Sequence, residues 1–260
     1  MLLRLFLPLL TILFSYPLAG QEPGADYIAI GNPTDTIRKQ QPFFSTTSDR
    51  AKKIAAEISV FMTTPVFQQA FKSLKDSLLT GQAKEFSVSF GRNNRGDTIL
   101  SAILSGGRSS APIPAVQNAF ADLHTHLRNT PPSSGDVYGL LERGARSPGY
   151  TRRFVLTASG TLYTLFVMDT AAAAAFLHAY PPQRKAGYSP LFPTALLDEF
   201  RELLYGKMME EATAMACILE KYGAGVLLFR QQEGEDLQWV KGCVAEVEPS
   251  VVPGISEKQE

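Results

Sequence analysis

The sequence predicts an α+β protein, with a mixed or largely antiparallel sheet flanked by helices. Three observations point there. Residues 85–90 alternate at the period of a half-buried strand, with Phe86, Val88 and Phe90 on one face and Glu85, Ser87 and Ser89 on the other. Residues 85–104 and 154–168 each read as two strands joined by a turn, at Asn93-Asn94-Arg95-Gly96-Asp97 and at Ser159-Gly160. Helical patterns lie before, between and after these hairpins, and hairpins outnumber crossovers.

Taken in order, residues 1–20 read as a signal peptide. Arg4 supplies the positive end, residues 5–14 are apolar, and Leu18-Ala19-Gly20 offers small residues for cleavage before Gln21. The apolar run is shorter than the roughly 20 residues of a membrane span. The expectation is therefore an exported chain, periplasmic or secreted, with no integral span once the signal is removed. Residues 21–46 are rich in Pro, Thr and Gly and read as an extended leader. A single domain is expected over 47–248, with a flexible tail at 249–260.

Within that domain Ser48 is a plausible N-cap, Asp49 suits a first turn, and Ile54, Ile58 and Phe61 follow helical spacing. Thr64-Pro65 marks a second start, with proline at the first helical position and Phe67, Phe71, Leu74 and Leu78 continuing the stripe. The hairpin of residues 85–104 comes next, and its Arg95-Gly96-Asp97 triplet is what a turn needs, without an adhesion role. After a loop at 106–114 comes a strand carrying two histidines, then a helix over 137–143. The 154–168 hairpin follows, and then an alanine-rich helix over 170–180, bearing His178 and ended by Pro181-Pro182. One long helix is expected over 196–222, stopped by Gly223, with short strands at 226–229 and 237–240. Trp239 and the phenylalanine stripes are most simply core.

The charge balance excludes one class of partner. With 25 basic and 25 acidic residues the net charge is zero, which gives no bulk attraction to nucleic acid. In an oxidising compartment Cys217 and Cys243 are either disulfide-bonded or two separate buried thiols.

The chemistry concentrates between Phe120 and Leu141. Residues two apart on a strand share a face, so His124 and His126 present two imidazoles side by side, with Leu123, Thr125 and Leu127 turned the other way. Asp136 stands where the next helix begins. Two imidazoles and a carboxylate form the ligand set of a hydrolytic zinc site. Such a site needs a carboxylate to move a proton, and Glu85, at the edge of an alternating strand, is preferred over Glu57 or Asp122. Ser133 could donate to a tetrahedral oxyanion. Each residue also has a plain role: Ser133 and Asp136 as a helix capping box, the histidines as ordinary strand residues, Glu85 as a solvated acid, His178 as a surface or packing residue.

Glu85, His124-Thr125-His126 and Ser133-Ser134-Gly135-Asp136 together resemble the JAMM (also JAB or MPN) metallopeptidase family, in which a Glu on an early strand precedes His-x-His and Ser-x-x-Asp. The resemblance covers about residues 85–168. It implies a core with cytidine-deaminase-like layering and zinc-dependent hydrolysis of peptide or isopeptide bonds. It also implies that His124, His126 and Asp136 are ligands, Glu85 the general acid/base and Ser133 the oxyanion donor. Leu127 stands where the family usually has proline, and the His126-to-Ser133 spacing is one residue shorter than the family's.

Asp122-Leu123-His124-Thr125-His126 also looks like the opening of amidohydrolase and PHP phosphoesterase barrels. Those need several later histidines and about 250 residues of barrel, whereas only His178 follows His126 here. The readings carried forward are an exported zinc hydrolase of a peptide, isopeptide or other amide bond, and a catalytically silent MPN-like module binding a protein or peptide. Either would fit a housekeeping protein or a secreted effector.

Overall fold

Two helices lead into the sheet, α1 at Phe43–Met62 and α2 at Pro65–Leu79. The computed structural model describes residues 43–243, with side chains from residue 47 onward. The predicted signal peptide, most of the leader and the 249–260 tail lie outside the described residues. The first helix begins five residues before Ser48, inside the expected leader. Ser and Thr cost a helix only a few tenths of a kcal/mol relative to good formers, so Ser48 did not have to be the boundary. Thr64 does cap α2, its hydroxyl accepting from Phe67 N at 3.4 Å, with Pro65 following.

The strands are β1 (Phe86–Arg92), β2 (Thr98–Leu100), β3 (Leu104–Ser105), β4 (Ala121–Thr125), β5 (Arg152–Leu156), β6 (Leu162–Val167), β7 (Val226–Gln231) and β8 (Gln238–Trp239). They form one sheet in the order β2-β1-β4-β5-β6-β7-β8, with β3 also paired to β1. Only β4 and β5 run parallel; the other pairings are antiparallel. This is the expected α+β class with a mixed, mostly antiparallel sheet. The expected return strand over 98–104 is split in two. Ser101 hydroxyl accepts from Ser89 N at 2.9 Å while Ser101 N donates to Ser89 O, so a side chain takes the place of a ladder carbonyl.

The remaining helices are α3 (Ser134–Arg146), α4 (Thr170–Ala179), α5 (Thr194–Arg201) and α6 (Glu211–Lys221). The predicted single helix over 196–222 is corrected: α5 runs into a π-helical turn at Glu202–Gly206, the helix ends, and after residues 207–210 α6 starts afresh. Met208 adopts a left-handed φ of 52° at the break. Leu196, Leu203, Ala212 and Met215 all bury in the same core, so the apolar spacing reads through the break as if one helix continued.

The sheet separates two apolar layers. Helices α1 and α2 cover Val88, Phe90, Leu123, Phe154, Leu156 and Phe229, with Phe67 against Phe154 edge-on at 5.0 Å between ring centroids. The other helices cover Val155, Leu165, Val167 and Leu228 on the opposite face. That second face carries His124, so the histidine strand turns its polar side toward α3. No described helix is long and apolar enough to cross a membrane.

Cys217 on α6 and Cys243 beyond β8 are joined in a disulfide, their Cα atoms 4.7 Å apart. The bridge closes a separation of 26 residues and should restrict the unfolded chain. Replacing both cysteines with alanine is expected to lower stability by about 3 kcal/mol, read by denaturant unfolding against the oxidised protein.

Candidate metal centre

The centre is built where β1, β4 and the start of α3 meet. β4 pairs antiparallel with β1, setting His124 opposite Ser87 and Asp122 opposite Ser89. Carrying that register two residues further puts Glu85 opposite His126. On the far side, β4 pairs parallel with β5 and sets Asp122 beside Arg153. The serine face of β1, which alternation alone would leave in water, is covered. Ser87 hydroxyl donates to Pro112 O at 2.5 Å, Ser89 hydroxyl to Pro114 O at 2.6 Å, and Arg143 Nη2 to Ile113 O at 3.3 Å. These bonds tie down the 111–114 strap, whose Ala111 and Ile113 line a cleft of about 120 Å³ over the histidines.

His124, His126 and Asp136 offer ligand atoms that all lie within 4.8 Å of one another, and the three are at most 9 % exposed. Asp136 Oδ1 is 3.0 Å from His124 Nε2, and Asp136 Oδ2 is 3.4 Å from His126 Nε2. The shortened His126-to-Ser133 spacing therefore still brings the carboxylate to both rings.

The other nitrogen of each ring is held from behind. His126 Nδ1 donates to Thr130 O at 3.1 Å, and His124 Nδ1 faces Asp122 Oδ1 at 3.4 Å. Such partners fix ring orientation and leave Nε2 free to coordinate, the usual outer arrangement of a histidine metal site. The donor set, its convergence and its backing fit a divalent ion such as zinc.

Asp136 is positioned by its helix end. Ser133 and Asp136 form the capping box: Ser133 N and Ser133 hydroxyl donate to Asp136 Oδ2 at 2.7 and 2.8 Å, and Asp136 N donates back to Ser133 Oγ at 3.3 Å. The cap and the candidate ligand position thus fall on the same side chain. Ser133 lines the cleft, but its hydroxyl hydrogen is directed at Asp136 in this arrangement.

Charge coupling follows from the geometry. Burial alone would lower the His124 pKa, but the Asp136 and Asp122 carboxylates outweigh it and raise it to about 9. Burial alone would raise Asp136, and the two imidazoles outweigh it, holding that carboxyl well below its usual range. Glu85, 6 % exposed, is pushed up to about 7 by burial, with His126 and His124 opposing and Asp136 assisting. Glu85 lines the same cleft as the two histidines, so it is not the solvated edge acid that alternation allowed.

A buried bracing network joins these parts, and the sequence did not reveal it. Arg153 Nε donates to Asp122 Oδ2 at 3.1 Å, Arg153 Nη1 to Asp136 O at 2.9 Å, and Tyr150 hydroxyl to Asp122 Oδ2. Asp122 is fully buried and serves as the support of His124. Glu57 is on α1, across the sheet, and its charge acts on Arg152. His178 is exposed on α4, away from the cleft.

Gly139 makes room for that arginine. A Cβ at Gly139 would meet Arg153 Nη1 at 2.2 Å and Cζ at 3.0 Å, and the guanidinium cannot swing away without leaving Asp122 and Asp136. Gly139→Ala is expected to destabilise the fold by about 1–3 kcal/mol, measured by chemical denaturation, and to weaken metal binding in the protein that folds. Compared with protein-family models and with curated proteins, the chain matches none.

Proposed function

We propose that this chain is an exported zinc-dependent hydrolase of a peptide, isopeptide or other amide bond, of the kind the JAMM resemblance implies. One observation carries the reading: two imidazole Nε2 atoms and a carboxylate converge in a buried cluster, each imidazole backed at Nδ1, beside a carboxyl group with a raised pKa.

His124, His126 and Asp136 would hold the ion. A bound zinc ion supplies Lewis acidity, polarising a carbonyl and making water acidic near neutrality. Glu85 does the proton transfer. Its carboxylate takes a proton from the attacking water as the oxygen bonds to the carbonyl carbon, then gives it to the departing nitrogen as the C–N bond breaks. A pKa near neutrality suits both halves of that task. Ser133 donates to the tetrahedral oxygen once its hydroxyl hydrogen turns from Asp136 Oδ2. The strap at 111–114 and the start of α3 wall the cleft and limit water around the reacting groups.

A second reading has its own support. His124 and Asp136 already satisfy each other as a 3.0 Å ion pair, which is also how a metal-free, catalytically silent binding module would close the same pocket. Turnover separates the two. Offered a pool of labelled peptides and isopeptides, the hydrolase should cleave some member, stop on chelation and recover when zinc is returned. Cleavage that persists in the chelated protein would remove the zinc reading, and no cleavage from zinc-loaded protein would favour the binding module.

A further inference from the structure

The cleft opens into a larger groove of about 610 Å³, and the two share Glu85, Ser109, His126 and Ser133 along their boundary. The groove is lined by two arginines, Arg108 and Arg128, from separate loops on either side of the histidine strand. Both are exposed, and neither guanidinium has a hydrogen-bond or ion-pair partner among the described residues. Among the other described arginines four pair with acids, Arg153 with Asp122, Arg184 with Glu142, Arg201 with Asp198 and Arg230 with Glu210, whereas Arg95 and Arg146 are exposed without an acidic partner; what sets Arg108 and Arg128 apart is that both line one groove beside the cleft. The groove contains one acid, Glu85, at its inner boundary. With 25 basic and 25 acidic residues overall, this local excess is not a sample of a generally basic surface.

From this juxtaposition we infer that the groove beside the metal centre is an acid-reading subsite, in which Arg108 and Arg128 bind a carboxylate that the substrate carries next to its scissile amide. The inference rests on the hydrolase reading for the word substrate, but the subsite itself is a binding claim. A guanidinium presents a planar fork that matches a carboxylate, and charge-assisted pairs of this kind are about twice as strong as neutral hydrogen bonds. Thr130 and Ser109 hydroxyls in the same groove can complete the carboxylate's acceptor capacity. The carboxylate could be a chain terminus or an acidic side chain; both present the same two oxygens.

The test measures binding without turnover. Four probes are titrated calorimetrically into the mature full chain at low salt: N-acetyl-dialanine, its C-terminal amide, N-acetyl-glutamic acid amide and N-acetyl-glutamine amide. At least one acid should bind about tenfold or more tightly than its neutral partner, and added salt should weaken that preference. Preference in the first pair identifies a terminal carboxylate, and in the second an acidic side chain. In R108Q/R128Q the preference should fall toward unity with the melting profile unchanged. It should survive chelation, because the arginines and not the metal read the charge. Equal affinities within both pairs, a preference that persists in the double variant, or one that vanishes on chelation would each overturn the inference. An acid preference in a protein that never hydrolyses would remove the hydrolase and keep the subsite, whereas hydrolysis with no acid preference would do the reverse.

Discussion

Replacing His124 with alanine is expected to lower zinc affinity by more than about 100-fold, because losing an outer partner of a metal histidine already costs about 10–100-fold and this change removes a ligand. The fold should survive the change. Asp136 keeps both donors from Ser133, and Asp122 keeps Arg153 and Tyr150. Asp122→Asn should produce the smaller loss in affinity, with a larger loss in stability from the unpaired guanidinium of Arg153.

Proton competition gives the same site a pH signature. In metal-free protein His124 titrates at about 9, above its ordinary 6.5, so an arriving ion must displace a proton from Nε2. Zinc affinity should therefore rise with pH between 6 and 8, by about tenfold per unit for one proton displaced. The stability of chelated protein should move the other way. A histidine whose folded pKa is raised contributes fully below 6.5, and the contribution fades as pH climbs through 9. Asp136, with its pKa lowered, contributes above 3.8 and ceases to as acid protonates it. Chelated protein should thus soften on the alkaline side while zinc-loaded protein does not, a contrast thermal melts across pH would read.

Glu85→Gln should do the opposite of His124→Ala: zinc stays, and hydrolysis falls by about 10²–10⁴-fold, the range of positioned general acid–base catalysis. Glutamine keeps the shape of Glu85, but its neutral amide cannot take up the attacking water's proton. The acidic limb of the wild-type pH profile should vanish with it. That limb requires the carboxylate to be ionised, so the rate rises with pH, at or below about 7 because a nearby cation favours the ionised form. A variant that lost zinc along with activity would instead make Glu85 part of the metal site's structure.

How much of this was legible in the sequence depends on how local each feature is. The histidine pair follows from the two-residue period of a strand, and the capping box at Ser133 and Asp136 is a four-residue pattern, so both stood in the chain as read. The support behind His124 did not. Tyr150 and Arg153 reach Asp122 across 28 and 31 residues, through the one parallel pairing in the sheet, and no local pattern predicts that register. Gly139 falls inside the expected 137–143 helix, and nothing local to it marks that Arg153 lies against it. Ser87 and Ser89 read as a solvent face because alternation marks polarity, and only the strap carbonyls of Pro112 and Pro114 show that they are buried. The break between α5 and α6 was hidden for a related reason: Leu203 and Ala212 keep facing one core across it. The loop arginines, Arg108 and Arg128, had no periodicity to place them.

Elemental analysis of the purified protein beside His124→Ala tests the centre with the fewest assumptions. The geometry of His124, His126 and Asp136 calls for about one zinc per wild-type chain and essentially none in the variant, with both proteins folded. Wild-type protein that takes up no zinc even when supplied with it, or a His124→Ala protein that retains a full equivalent, would contradict the metal centre and the hydrolase built on it.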